Sequence, residues 1–157
     1  SQSIKFYHTY KFRSITCGNP GKELTETIPF SEELEHTRAY LNVEQALYDE
    51  NLFVDYDTPH TRFRVPPLTL QPIVENAVKH GMDPDADPLY VTVTTKDTDK
   101  GVLITVEDTG HGYAPTDGDA PHFALNNIRE RLKTMCGGTL EIEPREAGGT
   151  TVTVFIP

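Results

Sequence analysis

Positive charge is scarce in this chain, where 14 Lys and Arg face 24 Asp and Glu for a formal charge of −10. Phosphate backbones and anionic bilayers are recognised through basic footprints, so the balance argues against nucleic-acid and membrane-surface partners. Long apolar runs are missing as well. None approaches the ~18 residues of a membrane span, and no signal peptide is visible. The two cysteines, Cys17 and Cys136, form no CxxC pair. Reduced thiols in a cytosolic chain are the simplest reading, with one disulfide as the alternative. His8, His36, His60 and His111 lack metal-ligand spacing. Internal repeats at a solenoid period and low-complexity tracts are also lacking, which sets aside arrays and linkers.

What remains is a soluble, globular composition, with 24% charged and 36% apolar residues in 157. That length suits one ordinary domain with room for an extra element at one end. The opening "SQSIKFYHTYKF" has the look of a chain cut from something longer. "CGNPGKELTETIP" (17–29) is a loop or linker by its Gly and Pro content. Ser31 then caps a helix with Glu32 and Glu33 in its first turn, where the helix dipole favours acids. Leu34, Leu41 and Tyr48 recur every seven residues beside Tyr40 and Leu47, a seam suited to packing on another helix. "LFVDYDT" (52–58) alternates as a strand. "LYVTVTTK" and "VLITVED" form a hairpin across Asp97–Gly101, and "TLEIEP" and "TTVTVFIP" form another across "REAGG". Between the hairpins, Leu125, Ile128, Leu132 and Met135 mark a helix that Gly137 and Gly138 end. The order after residue 50, β-α-β-β-α-β-β, predicts an α/β (α+β) two-layer sandwich. Its sheet is mixed and mostly antiparallel, with helices on one face.

"LQPIVENAVKHG" (70–81) reads as one amphipathic helix. Leu70, Ile73, Val74, Ala77 and Val78 make its apolar stripe. Asn76 and His80 lie along one border of that stripe, and Lys79 stands just outside them. Further on, "EDTGHGY" (107–113) ends a strand with Asp108 and places Gly110 and Gly112 two apart. Alone, that pattern is equally an ordinary tight turn. In "GGTTV", Gly149 and Thr150 open the last strand. Asp83, Asp85 and Asp87 suggest a calcium loop, but prolines interrupt them, and the loop's glycine and twelfth-position glutamate are missing. They read as a solvated turn.

"VPPLTLQPIVENAVKHG", "EDTGHGY", "NNIRERL" and "GGTTVTVFIP" together resemble the ATP-binding domain of LytS-like sensor histidine kinases. That superfamily includes the gyrase-type, chaperone and mismatch-repair ATPases and has a Bergerat-type fold. "PFSEELEHTRAYLNVEQ" resembles the helix that precedes the domain, so the likeness spans roughly residues 28–157. It implies that residues 1–49 end a dimerisation and phosphotransfer helical region, and that residues 50–157 form the ATP-binding domain. It also implies the ligands ATP and Mg²⁺. Asn76 is then the amide ligand of Mg²⁺, a hard cation that prefers oxygen and keeps several waters. Lys79 and His80 face the phosphates. Asp108 accepts a hydrogen bond from the adenine amino group and repels guanine's carbonyl. Gly110 and Gly112 let the backbone approach the nucleotide, Thr150 sits beside the adenine–aspartate contact, and Asn127 joins the nucleotide-binding set.

Three departures from the pattern carry information. The family's lid ends in Gly-x-Gly-Leu, where this chain has His122 and Ala124, which predicts a lid that holds phosphate less tightly. No His-Phe-Leu-aromatic-Asn acceptor string is present, so the substrate histidine is expected elsewhere. Hydrolytic relatives carry a water-activating glutamate at the position of Pro72, which argues against an ATP hydrolase. The implied function is the ATP-binding catalytic domain of a two-component sensor kinase, transferring the γ-phosphoryl to a histidine outside this chain. The implied partners are a response regulator and the protein's own dimerisation helices in a homodimer. The implied setting is the cytoplasmic portion of a bacterial membrane sensor, reaching the membrane only through an N-terminal part. The alternative is a degenerate, non-catalytic signalling module with a weakened nucleotide site.

Overall fold

The computed structural model describes residues 26–83, 85–110 and 120–157, and of 120–123 the backbone alone. A five-stranded sheet is built from β2 (Leu52–Asp57), β4 (Leu89–Asp97), β5 (Val102–Asp108), β6 (Thr139–Pro144) and β7 (Thr150–Ile156). Its order is β2-β4-β5-β7-β6, and only β2 and β4 run parallel. A parallel pair needs a long crossover, and here the connection carries helix α2 (Leu70–Gly81). Val91 and Val93 of β4, Val102, Ile104 and Val106 of β5, and Val152, Val154 and Ile156 of β7 all face inward. The period of two places them in one apolar layer. Helices α1 (Phe30–Tyr48), α2 and α3 (Ala120–Cys136) complete the sandwich on that side. The mixed, mostly antiparallel architecture read from the sequence is the one observed.

Helix α2 has the bounds its periodicity predicts, and its five apolar residues are all buried. In α3, Leu125, Ile128 and Leu132 are buried. The Gly137 and Gly138 amides donate to the carbonyls of Lys133 and Leu132 at 3.2 and 3.0 Å, with Gly137 at φ +69°. Glycine adopts that left-handed backbone without a β-carbon penalty.

The chain before β2 differs from its reading. Ile28–Pro29 (β1), at the end of the stretch read as a loop, pairs antiparallel with Arg64–Val65 (β3). This short ladder seats the start of α1, because the Phe30 amide donates to the Phe63 carbonyl at 2.8 Å and the two rings stack 4.6 Å apart. Helix α1 therefore begins at Phe30, with Pro29 at its N-cap and no side-chain cap, and Ser31 lies inside the first turn. The heptad seam also divides. Leu34 and Leu41 enter the shared core with Phe30, Tyr40 and Tyr48 are half-buried, and Leu47 is 72% exposed. The inward stripe of α1 runs at helical spacing through Phe30, Leu34, Thr37 and Leu41, which turns Leu47 outward. Leu47→Ala is accordingly expected to change stability by less than about 0.5 kcal/mol in a denaturant titration, since it removes no buried contact. A loss above 2 kcal/mol would show that Leu47 packs in the seam after all.

Candidate functional site

The inward row of β5 starts as Val102, Ile104 and Val106 and ends, one step later, in Asp108, which is only 7% exposed. Its partner across the β5–β7 ladder is Thr150, also buried, at the start of the equivalent row on β7. A carboxylate closing an apolar row is costly unless something answers it. Part of the answer is local, because Asp108 Oδ1 accepts the Gly110 N–H at 3.0 Å. Burial still pushes the carboxyl's pKa above its ordinary value. The Gly110 amide, the Arg145 charge and the Thr150 backbone amide oppose that shift without cancelling it. Titratable groups displaced by burial are where binding and catalysis concentrate.

The backbone around Asp108 is held closely. Arg145 Nη1 donates to the Asp108 and Gly148 carbonyls at 3.3 and 3.1 Å. A β-carbon at Gly149 would lie 1.9 Å from the Asp108 carbonyl oxygen, so a side chain cannot be accommodated there. On the other side, a β-carbon on Gly110 would lie 2.6 Å from Gly81 Cα. The turn after β5 therefore touches the C-terminal end of α2, glycine against glycine. That contact brings the α2 border beside Asp108. Asn76 is buried at this border, His80 is half-buried, and Lys79 is exposed. An amide oxygen, an imidazole and an ammonium thus lie along the second half of a helix whose end meets the turn that follows a buried carboxylate.

Of the residues expected at the site, Asp108, Thr150 and Gly110 come together directly, and Asn76, Lys79 and His80 lie on the second half of α2, whose last residue, Gly81, meets Gly110. Asn127 is exposed on α3, whose buried Leu125 and Ile128 face the core. Gly112 lies outside the described residues, as do His111 and the stretch through 119. Positions 122 and 124 fall within α3. L-residues are unstrained in helical backbone, so no left-handed penalty attaches to His122 or Ala124 there. Glycine at these positions would weaken the helix.

Sequence reading gave Glu33 to the first turn of its own helix and missed that it and Arg131 hold the loop ahead of α2. One signal was available, since Glu33 lies three residues after Phe30 on the apolar stripe of α1. Among the described residues, no group of three or more His, Cys, Asp or Glu is placed to hold a metal ion. Asn76 offers one neutral oxygen, which fits a Mg²⁺ ion whose remaining ligands are phosphate oxygens and water.

Comparison with known proteins agrees with this geometry. Residues 67–157 match the family of histidine kinase-, DNA gyrase B- and HSP90-like ATPases. Sensor histidine kinase YpdA of Escherichia coli K12 is 33% identical over 141 residues, covering 84% of this chain and 25% of its own length. Sensor protein LytS of Bacillus subtilis strain 168 is 31% identical over 145 residues, covering 83% of this chain and 24% of its own. The chain thus spans about a quarter of either relative. The catalytic domain of histidine kinase ThkA shares the fold, with a TM-score of 0.65 at 17% identity over 84% of this chain and 95% of that one. The matched span, residues 67–157, contains helix α2 with Asn76 on its border and the buried Asp108 with its glycine turn. The chain belongs to the histidine kinase-, DNA gyrase B- and HSP90-like ATPases.

Proposed function

We propose that ATP binds along the α2 border, with its adenine on Asp108 and its phosphates towards Lys79 and His80, and that the γ-phosphoryl passes to a histidine outside this chain. The observation that carries the reading is Asp108, a buried carboxylate paired across the sheet with Thr150 and poised at the glycine contact with α2. Its acceptor oxygens match the adenine amino group, and Thr150 offers a hydroxyl beside it. Asn76 holds Mg²⁺ through its amide oxygen, and the bound cation neutralises charge on the phosphates. Gly110 and Gly112 admit the nucleotide close to the backbone, and Asn127 contributes from α3. Protein groups here position the reactants and stabilise charge, with little covalent work to do.

In the longer protein, residues 1–49 form the end of the dimerisation and phosphotransfer region, and residues 50–157 the ATP-binding domain against which α1 docks. The partners are the homodimer's own helices, which present the acceptor histidine, and a response regulator. No helix among the described residues is long and apolar enough to cross a membrane. The setting is the cytoplasmic portion of a membrane sensor, with any bilayer contact made by an N-terminal part.

Calorimetry should find Mg²⁺-dependent binding of ATP and much weaker binding of GTP; equal affinities would remove Asp108 from the adenine. Labelled ATP should leave this chain unlabelled, because its acceptor lies elsewhere. Acid-labile label that disappears in His36→Ala would place the acceptor on α1 instead.

A further inference from the structure

Helix α2 is not capped by its own residues. Thr69 stands at the N-cap, but its hydroxyl donates to the Pro66 carbonyl at 2.6 Å and makes no cap. The donors are met from α1. Glu33 Oε1 accepts the amides of Leu70 and Gln71 at 2.9 and 3.3 Å, and Oε2 accepts that of Leu68 at 3.1 Å. An anion at a helix N-terminus also meets the positive end of the dipole. From α3, Arg131 donates Nη1 to the Pro67 carbonyl at 2.9 Å and Nη2 to that of Leu68. Between the two charges, Leu68 sits at φ +60°, a left-handed conformation that a leucine holds only when its surroundings impose it. Glu33 is only 1% exposed, and burial raises its pKa against the pull of the three amides and Arg131.

We propose that Glu33 is a positioning residue for the nucleotide site: with Arg131 it fixes where α2 starts, and so where Asn76, Lys79 and His80 stand relative to Asp108. The inference rests on the nucleotide reading of that edge and adds how the edge is set. The helix is 12 residues long and is held at both ends, by Glu33 at its start and by the Gly81–Gly110 contact at its finish. At ~1.5 Å of rise per residue it is a short rod, and a shift at its start moves the border carrying Asn76 and His80. Because Glu33 belongs to α1, a displacement of α1 along or around its axis is transmitted to the phosphate side of the site.

Glu33→Gln is the informative variant. Its oxygen can still serve Leu70 and Gln71, but its amide turns a donor towards the Leu68 N–H. Leu34→Ala on the same helix is the control, since it removes core packing without touching the cap. Both should lower the melting midpoint. Measured where each protein is folded, Mg-ATP affinity should fall about tenfold in Glu33→Gln, as expected for losing a hydrogen bond to a charged group. Affinity should hold in Leu34→Ala. In the nucleotide-free protein, Glu33→Gln should also shift the Asn76 side-chain resonances and speed hydrogen exchange across the first turn of α2. Arg131→Lys, which keeps the charge but loses the two-pronged contact, should act in the same direction if Glu33→Gln does not fold. Unchanged affinity together with unchanged Asn76 resonances would overturn the proposal, as would equal affinity losses in Glu33→Gln and Leu34→Ala. If the wild-type protein binds no Mg-ATP, the nucleotide reading fails, and the resonances and exchange rates alone decide whether Glu33 positions α2.

Discussion

Asp108→Asn is expected to weaken Mg-ATP binding ten- to hundredfold while raising the melting midpoint of the nucleotide-free protein at neutral pH. The two effects have one cause. A carboxylate that accepts the adenine amino group makes a charge-assisted hydrogen bond in a site that excludes water, and losing one costs on the order of 1.5–3 kcal/mol. Without nucleotide, the same charge is a burden. Burial holds the folded-state pKa above the ordinary aspartate value of 3.8, despite the Gly110 amide, Arg145 and the Thr150 amide. A carboxyl with a raised folded-state pKa contributes stability that is fully present below its unfolded pKa and is lost as pH rises through the folded one. Asparagine mimics the protonated form at every pH. The variant's advantage in melting midpoint should therefore be smallest below the ordinary aspartate value, grow as pH rises through the folded-state value, and level off above it. Calorimetry and paired melts across that range test both halves. A variant that binds ATP as tightly as wild type would displace Asp108 from the adenine. One that loses stability at neutral pH would make Asp108 a structural acceptor whose bonds outweigh its burial.

Gly149→Ala should damage the fold, and with it the site, far more than the same substitution one residue earlier. Both glycines have positive φ, +100° at Gly148 and +95° at Gly149, so alanine is strained at either, by roughly 1–2 kcal/mol. Their surroundings differ. A β-carbon on Gly148 meets nothing within 4 Å, whereas one on Gly149 would lie 1.9 Å from the Asp108 carbonyl oxygen and 2.7 Å from its carbon. Those atoms belong to a ladder in register from Asp108–Thr150 to Val102–Ile156, so relief requires the strands to part. Overpacking against backbone adds about 1–3 kcal/mol, for a total of roughly 2–5 at Gly149. That is a large share of the ~5–15 kcal/mol that holds a domain together. Denaturant titration of the two variants measures the difference directly. Gly149→Ala should also weaken Mg-ATP binding where it is still folded, because Asp108 must move. Equal destabilisation by the two substitutions would mean that the strand end relaxes freely and exerts no hold on Asp108.

Local pattern accounts for what could be read without coordinates. The α2 stripe at 3.6-residue spacing, the period-two rows of β4, β5 and β7, and the turn glycines each act over a few residues, so their elements emerged with nearly correct bounds. The polar residues on the α2 border and the Asp108 turn stood out because their types did not suit their places in those patterns. Readings failed where a local signal met a distant competitor. Ser31 has the chemistry of a cap, but the Pro29–Arg64 pairing and the stack of Phe30 on Phe63 move the cap two residues earlier, to Pro29. The seven-residue spacing of Leu34, Leu41 and Tyr48 does turn towards the core, but Leu47 beside it faces solvent, because only the residues of α1 that point at the shared core are covered.

By itself, then, the amino-acid order determined the elements, their sequence along the chain, and the residue types at the site, because each is written in contacts between near neighbours. Tertiary structure alone decided the rest. It set Asp108 opposite Thr150 across 42 residues of chain (150 − 108), closed Gly81 on Gly110, and gave the Glu33 carboxylate to the first turn of α2. A strand register, a backbone approach too close for any β-carbon, and a cap donated by another helix are relations between segments far apart in sequence. They form only when burial of the shared core brings those segments together, so no window of sequence contains them.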